Sequence, residues 1–295
     1  MFVKWKARRL FDRIFGRPDI DKAYKMVGPD DSWYDTITTV HRSLAAIKTL
    51  PHETWQIQSH DGYTLQGLFY PCEGSCKTMI WVHGYTSHAE RESAFPGLFY
   101  RSLGYNLLIP YLRAHGPSEG KYICSGEYES RDIEKWVDRL NTAIPDGNIV
   151  IHGLSMGGGV VLELCCRDIP NVKAMIADAP NTNIRGALYY YPVSLCKKDG
   201  EKVSEELHAI YQRVWGIDAR DYDWIQKIAD GKYPLLFSAG SNENMDEAAR
   251  MIKERNPQET HVVILPGCDH GNGMYKQTEM YQSAIRDFLE RYIER

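Results

Sequence analysis

The sequence predicts an α/β protein built on a doubly wound, mostly parallel β-sheet, with an antiparallel N-terminal hairpin and a small helical cap. Two observations carry this prediction. Short apolar, strand-like runs alternate with helical patterns along most of the 295 residues, as they do in parallel βαβ units. Residues 181–232 also separate two such runs by more chain than a simple crossover needs, so we interpret that segment as an inserted cap.

The individual elements can be assigned in chain order. Residues 54–58 and 63–70 are predicted to pair as a hairpin through the turn His60-Asp61-Gly62, because Asp-Gly is a favoured connection between antiparallel strands. The further predicted strands cover residues 78–82, 105–110, 149–151, 172–177, 235–239 and 262–265. The predicted helices cover residues 28–49, 94–103, 127–140 and 276–292. Strands that alternate with helices in this way predict a sheet with helices on both faces.

Three regions follow from these assignments. We expect a helical extension over residues 1–50, a core formed by residues 51–180 together with 233–295, and the cap over residues 181–232. The cap is rich in aromatic residues, namely Tyr189, Tyr190, Tyr191, Tyr211, Trp215, Tyr222 and Trp224. We interpret most of these side chains as packing the cap against the core.

Residues 1–17 interleave apolar and basic side chains. The apolar members are Phe2, Val3, Trp5, Leu10, Phe11, Ile14 and Phe15, and the basic members are Lys4, Lys6, Arg8, Arg9, Arg13 and Arg17. A basic amphipathic helix of this kind can lie on an anionic membrane surface. We favour a helix docked on the protein's own surface or on the cap, because the basic residues are not confined to one face.

The composition excludes several classes of protein. A hydrophobic content of 43%, a charged content of 25% and a net charge of −4 are ordinary for a globular protein and give no reason to expect nucleic acid as a partner. The seven cysteines show no zinc-binding spacing, which predicts free thiols in a reducing compartment. No bilayer-spanning run or signal peptide is visible. We therefore expect a cytoplasmic protein, with weak contact between residues 1–17 and a membrane surface as an open alternative.

Residues 148–160 read Asn-Ile-Val-Ile-His-Gly-Leu-Ser-Met-Gly-Gly-Gly-Val. An apolar strand-like run leads directly into Gly-x-Ser-x-Gly at Gly153–Gly157, and a helical pattern follows. A strand that turns at once into a helix strains its turn residue and pushes the side chain of Ser155 out above the sheet. The alternative is a glycine-rich turn with Ser155 as a helix N-cap. The strand before the motif and the helix after it favour a nucleophile elbow.

A nucleophilic serine needs a base and an acid that orients the base, and in a parallel sheet both are expected after the carboxyl ends of strands. His270 follows the last predicted strand and is the predicted base. Glu243, in the loop after residues 235–239, is the predicted acid. Asp178 and Asp246 remain as alternatives for the acid, since Asp178 also ends a strand and Asp246 lies in the same loop as Glu243.

An acyl-transfer site also needs N–H donors for a developing oxyanion. The backbone N–H groups of Met156, directly after the serine, and Tyr85, in the loop after residues 78–82, are the predicted donors. A polar turn without catalytic function is the alternative for residues 83–87. His83 is interpreted as a histidine that braces this loop.

The order Ser155, Glu243, His270, with His83-Gly84-Tyr85 upstream, resembles the α/β-hydrolase superfamily, particularly its serine esterase and peptidase-like members. The resemblance covers roughly residues 53–295. Residues 113–120 resemble the Arg-Gly-His-Gly-x-Ser-x-Gly loop of those members, with Ala114 in place of the first glycine and Tyr111 where aspartate is usual.

The resemblance implies an α/β-hydrolase fold and hydrolysis of carboxylic esters through an acyl-enzyme on Ser155. A peptidase, thioesterase or acyltransferase with the same side chains is the alternative, and a non-catalytic binding module is a further one. The chemistry implied requires no metal and no organic cofactor. The expected partner is a small ester, for which the aromatic cap suggests an apolar or aromatic group. The sequence does not determine the oligomeric state.

Overall fold

Eight strands form one sheet in the computed structural model, which describes residues 2–20 and 27–293. They are β1 (Glu53–Gln58), β2 (Thr64–Tyr70), β3 (Lys77–Val82), β4 (Asn106–Pro110), β5 (Asn148–Leu154), β6 (Val172–Asp178), β7 (Leu235–Gly240) and β8 (Thr260–Leu265). Their spatial order is β1-β2-β4-β3-β5-β6-β7-β8. Pairs β1–β2 and β2–β4 are antiparallel, and all the other pairs are parallel. The predicted mostly parallel sheet with an N-terminal hairpin is thus confirmed.

The helices connect these strands and also flank the sheet. They are α1 (Phe2–Phe15), α2 (Tyr34–Ile47), α3 (Ala89–Ser102), α4 (Glu127–Ala143), α5 (Met156–Leu164), α6 (Tyr191–Cys196), α7 (Gly200–Trp215), α8 (Trp224–Lys227), α9 (Asp246–Arg255), α10 (Gly273–Lys276) and α11 (Thr278–Tyr292). Helices α6, α7 and α8 belong to the predicted cap segment, residues 181–232. None of the helices within residues 2–20 and 27–293 is both long and apolar enough to cross a bilayer.

Two predicted helix boundaries are wrong for local reasons. The helix predicted over residues 28–49 begins only at Tyr34, because Asp31 accepts a hydrogen bond from the Trp33 amide at 2.8 Å and holds the preceding residues in a turn. The helix predicted over residues 94–103 begins five residues earlier, at Ala89, where the His88 side chain accepts a hydrogen bond from the Arg91 amide. A histidine N-cap is an uncommon signal, so the sequence pattern alone missed it.

The core lies in two layers, one on each face of the sheet. Alternate strand residues point to opposite faces, so that Ile80 and Ile151 pack with α4, α5, α8 and α9, whereas Met79 and Val150 pack with α2, α3 and α11. Strand β5 lies in the middle and is buried over nearly its whole length. The end of β5, from which Ser155 emerges, is therefore held on both faces of the sheet.

A third apolar cluster joins α1 to α7 and lies outside both layers. Phe11 and Phe15 of α1 are fully buried against Leu207 and Tyr211 of α7. Helix α1 is therefore docked on the predicted cap segment. The distribution of its basic residues had favoured such docking over a helix that lies on a membrane surface. Phe2 and Trp5, at its beginning, remain 62% and 52% exposed.

The turn between β5 and α5 has the geometry that the glycine pattern predicts. Ser155 has φ +58° and ψ −113°, a conformation that is strained for a residue with a side chain. A Cβ on Gly157 would lie 1.9 Å from the Val82 carbonyl oxygen, and one on Gly153 would lie 2.1 Å from the Gly157 carbonyl oxygen. Both distances are below van der Waals contact, so α5 can approach β3 this closely only with glycine at 157, and it can fold against the end of β5 only with glycine at 153.

We expect Gly157→Ala to lower the free energy of unfolding by about 1–3 kcal/mol, because the methyl group forces backbone apart in a packed layer. Urea denaturation monitored by circular dichroism measures this loss. Gly28→Ala is the matched control, since no atom lies within 4 Å of the added Cβ, and its effect should stay within about 0.5 kcal/mol. If Gly157→Ala and Gly28→Ala have the same free energy of unfolding, α5 does not approach β3 as closely as the structure shows.

Candidate active site

Ser155 and His270 form the first contact of the site. The Ser155 hydroxyl lies directly above β5, and its Oγ is 2.9 Å from His270 Nε2. His270 follows β8 in a loop in which the Asn272 side chain accepts a hydrogen bond from the Asp269 amide at 2.9 Å. The strands β5 and β8 end at the same edge of the sheet, which brings two residues 115 positions apart together.

Glu243 lies behind the imidazole of His270. It ends a short 3₁₀ turn after β7, and its Oε2 is 2.5 Å from His270 Nδ1. Its other oxygen accepts a hydrogen bond from the Gly240 amide at 2.7 Å, which fixes the carboxylate. A hydrogen bond to Glu243 requires the proton on Nδ1, so Nε2 is left to accept the Ser155 proton. The same hydrogen bond raises the pKa of His270.

The two other candidate acids have different partners. Asp178, at the end of β6, is buried and accepts hydrogen bonds from Ser238 and Tyr281, each at 2.8 Å. Asp246 is the first residue of α9, where a carboxylate stabilises the helix dipole. Neither carboxylate forms a hydrogen bond with His270 in the described part of the chain.

Beneath Asp178 lies a buried chain of polar side chains. Tyr281, which donates to Asp178, also lies 3.1 Å from His152 Nε2, and Tyr100 lies 3.0 Å from His152 Nδ1. Burial lowers the pKa of His152 to about 3, so the ring is neutral and donates with one nitrogen while accepting with the other. Burial also raises the pKa of Asp178 to about 6. His152 lies in the strand that precedes Ser155, but both of its ring nitrogens contact buried tyrosine hydroxyls.

The predicted oxyanion donors lie on two elements beside Ser155. The Met156 amide begins α5 and, as a first-turn N–H, has no acceptor within its own helix. Tyr85 lies in the loop after β3, and its amide donates no hydrogen bond to a residue that the structure describes. His83 Nε2 accepts a hydrogen bond from the Leu112 amide at 3.1 Å, so His83 braces this loop as predicted.

Glu92 supports the same loop and was not identified from the sequence. It is 3% exposed, and its Oε1 accepts hydrogen bonds from the Gly84 amide at 3.0 Å and from Trp81 Nε1 at 2.9 Å. Burial raises the pKa of Glu92 to about 7. An acidic residue in the first turn of α3 is ordinarily explained by the helix dipole, so the sequence carried no signal for its contact with Gly84.

The loop over residues 113–120 is braced by charge and by backbone geometry. The buried Arg113 side chain lies 2.7 Å from Asp132 and 3.0 Å from Asp61. Ala114 adopts φ +60°, a value that the glycine of the resembling motif would adopt without strain. Ser118 donates a hydrogen bond to the Tyr111 carbonyl at 2.6 Å. The loop is therefore fixed even though Tyr111 stands where related proteins carry aspartate.

A cavity of about 490 Å³ opens beside Ser155. Its lining comes from α1, the loop after β3, the segment before α4, the turn between β5 and α5, and the predicted cap segment: Arg13, Ile14, Tyr85, Ser125, Ser155, Asn181, Asn183, Ile184, Gly186, Ala187, Tyr191 and Trp224. The Tyr85 hydroxyl donates a hydrogen bond to the Ile14 carbonyl at 2.5 Å. Helix α1, which the resemblance does not cover, thus forms part of the wall of the cavity.

Comparisons with known proteins agree with this architecture. Residues 74–215 match the family model described as serine aminopeptidase, S33. The chain is 25% identical to protein YqkD of Bacillus subtilis, over 85% of its own length and 83% of that protein. It is also 25% identical to the α/β-hydrolase domain-containing protein WAV2 of Arabidopsis thaliana, over 84% of its own length and 81% of WAV2.

Solved structures give the same result for the fold. The Pyrococcus furiosus esterase Pf2001 superposes with a TM-score of 0.66 at 22% identity, covering 95% of this chain and 98% of the esterase. Est1E of Butyrivibrio proteoclasticus, solved with ferulic acid bound, superposes with a TM-score of 0.63 at 20% identity, covering 82% of this chain and 100% of Est1E. Its sheet topology and these likenesses show that the chain has the α/β-hydrolase fold.

Proposed function

We propose that this protein is a serine hydrolase that cleaves carboxylic esters through an acyl-enzyme on Ser155. The observation that carries the proposal is the continuous array of Ser155 Oγ, His270 and Glu243, with contacts of 2.9 Å and 2.5 Å. A hydroxyl within hydrogen-bonding distance of an imidazole that a carboxylate orients is the arrangement required for nucleophilic acyl transfer.

Each group then has a defined step. Ser155 Oγ attacks the ester carbonyl while His270 Nε2 accepts its proton, and Glu243 stabilises the imidazolium that forms. The Met156 and Tyr85 amides, together with the N-terminal end of α5, stabilise the negative charge on the carbonyl oxygen. His270 returns the proton to the departing alkoxide, which leaves as the alcohol. Water, activated by the same imidazole, then releases the acid from Ser155.

An ester is favoured over a peptide by the charge in the cavity. The matching family model is described as serine aminopeptidase, and an aminopeptidase has to bind the ammonium group at the end of its substrate. Among the residues that the structure describes, the cavity lining contains no aspartate or glutamate, and its one charged side chain is the cation Arg13. A cationic wall repels an ammonium group. Thioesterase and acyltransferase reactions use the same array and are distinguished from ester hydrolysis by substrate assays.

The apolar part of the lining suggests which uncharged portion of the substrate it binds. Ile14, Ile184, Tyr191 and Trp224 come from α1 and the predicted cap segment. Such side chains contact hydrocarbon or aromatic groups through buried apolar area. We therefore propose an apolar or aromatic group on the acyl or alcohol side of the ester.

Ser155→Ala is expected to lower kcat for a 4-nitrophenyl ester by roughly 10³-fold or more, since the nucleophile is lost. The variant should also fail to react with a fluorophosphonate probe that labels the wild-type protein. Ser194→Ala, which changes an exposed serine on α6, serves as the matched control and should retain both properties. Hydrolysis by Ser155→Ala at the wild-type rate would refute the proposal. A folded wild-type protein that does not react with the fluorophosphonate probe would favour a binding module.

Glu243→Gln is expected to lower kcat by roughly 10³-fold, because the amide no longer stabilises the imidazolium. It also replaces the charged acceptor, Glu243, whose hydrogen bond raises the pKa of His270, with a neutral amide. Activity requires neutral His270, so the acid limb of the kcat/KM profile should move to lower pH in this variant. Asp246→Asn is the matched control from the same loop and should keep the wild-type profile.

Asp178→Asn tests the remaining alternative for the acid. If Glu243 acts on His270, Asp178→Asn should leave the acid limb of the pH profile within about half a unit of the wild-type midpoint, and its kcat should exceed that of Glu243→Gln. Asp178 is buried, so a melting curve should accompany the assay to separate lost folding from lost catalysis. If folded Asp178→Asn loses more kcat than Glu243→Gln, the carboxylate that acts on His270 is Asp178, at the end of β6, and not Glu243.

A further inference from the structure

Arg13 lies in the last turn of α1 and lines the same cavity as Ser155. Three sets of contacts hold this part of α1 in place. Phe11 and Phe15 are buried against α7, the Tyr85 hydroxyl bonds the Ile14 carbonyl, and Arg17 donates to the Ser118 carbonyl at 2.8 Å. The helix that carries Arg13 is therefore anchored to both the core and the predicted cap segment, and the exposed Arg13 side chain lies at the wall of the cavity.

The other basic residues of α1 are engaged elsewhere, and Arg13 differs from them. Lys6 lies 2.7 Å from Asp199, Arg8 lies 3.1 Å from Asp12, and Arg9 lies 4.9 Å from the Trp5 ring. Arg13 makes no hydrogen bond or ion pair with any residue in 2–20 or 27–293. The one charged side chain on the cavity wall is thus without a protein counter-ion among the residues described.

A buried N–H group behind the cavity wall also lacks an acceptor. The Trp224 side chain is 1% exposed and lines the cavity, and its Nε1 has no acceptor in the described part of the chain. Leaving a buried N–H without an acceptor is unfavourable by about 1–3 kcal/mol. Asn181 and Asn183 add amide groups to the same wall. Among the residues that the structure describes, the cavity wall therefore carries one positive charge and two side-chain amides, and no carboxylate.

We propose that this cavity binds an anionic group of the substrate through Arg13, so that the preferred substrates are esters that also carry a carboxylate. This inference rests on the esterase function proposed above and specifies its substrate class. A guanidinium binds a carboxylate through two parallel hydrogen bonds, which gives it both charge and geometric complementarity. The apolar lining contacts the hydrocarbon between the ester and the carboxylate.

A cation in the last turn of a helix also stabilises the helix dipole. That role predicts a change in stability without any change in substrate preference. Arg13 in addition borders a basic groove of about 740 Å³ on the outer side of α1, which Arg9 lines as well. Arg9 does not line the cavity beside Ser155. Arg9→Gln is therefore the matched control, because it removes the same charge from the same helix without changing the cavity.

The experiment compares kcat/KM for matched pairs of esters that differ in charge alone. On the acyl side, mono-4-nitrophenyl adipate, pimelate and suberate are each paired with the analogue in which a primary amide replaces the free carboxylate. On the alcohol side, the butyrate ester of 3-(4-hydroxyphenyl)propionate is paired with that of the corresponding propionamide. Both sides are tested because the ester can bind in either orientation, and melting curves verify that each variant is folded.

Wild type should prefer the carboxylate member of at least one pair by about tenfold or more, the ratio expected for one charge-assisted hydrogen-bonded contact. Arg13→Gln should abolish that preference and bring the ratio of kcat/KM between the two members of the pair close to one. Arg9→Gln should keep the wild-type ratio. A preference that is absent in wild type on both sides, or that persists in Arg13→Gln, would overturn the inference.

The result also separates this inference from the esterase proposal. Cleavage of neutral esters and fluorophosphonate labelling of Ser155, together with a ratio near one, would reject the anion subsite and leave the esterase function standing. Absence of both cleavage and labelling would reject the esterase function, and the inference with it.

Discussion

The approach of α5 to β3, with glycine at positions 153 and 157, is the constraint on which the rest of the site depends. A Cβ on Gly157 would lie 1.9 Å from a carbonyl oxygen and one on Gly153 would lie 2.1 Å from another, so neither position has room for a side chain. Ser155 takes the strain, with φ +58°. The same close packing directs the N-terminal end of α5 at the hydroxyl, so nucleophile and helix dipole are positioned by one feature.

The groups around Ser155 are held by hydrogen bonds that are themselves buried. Glu243 is fixed by the Gly240 amide, and Glu92 holds the Gly84 amide in the loop that carries Tyr85. Below them, Tyr281 links Asp178 to the neutral ring of His152. Satisfied polar networks of this kind keep side chains in one arrangement, because any displacement would leave a buried group without a partner. The site is thus supported from the interior of the sheet and does not depend on its surface loops alone.

Helix α1 contributes part of the wall of the cavity beside Ser155. It lies outside residues 74–215, which match the family model, yet its Arg13 and Ile14 form part of the wall beside Ser155. The basic character of residues 1–17 has two different consequences in the folded protein. Most of the cations lie on the outer surface or pair with neighbouring acids, and Arg13 alone among them lines the candidate active site. Specificity is therefore expected to depend on the N-terminal helix as well as on the predicted cap segment.

The sequence by itself determined the sheet, the elbow and the identity of the groups that follow the strands. Apolar runs, glycine spacing and chain order are local signals, and they were sufficient to predict Ser155, His270 and the bracing role of His83. Tertiary structure decided which acid meets His270. Glu243, Asp178 and Asp246 all lie near the ends of strands at one edge of the sheet, and their spacing along the chain does not reveal which carboxylate reaches the ring.

Tertiary structure also decided the contact of Glu92 with Gly84 and the place of Arg13 in the cavity. Both depend on how α3 and α1 dock, which is set by burial of apolar surface between segments distant in sequence. A local pattern predicts an element and its exposed face, but the partner of that face is chosen by packing across the whole chain. For this protein, the candidate chemistry was readable from short motifs, and the shape and charge of the cavity required the fold.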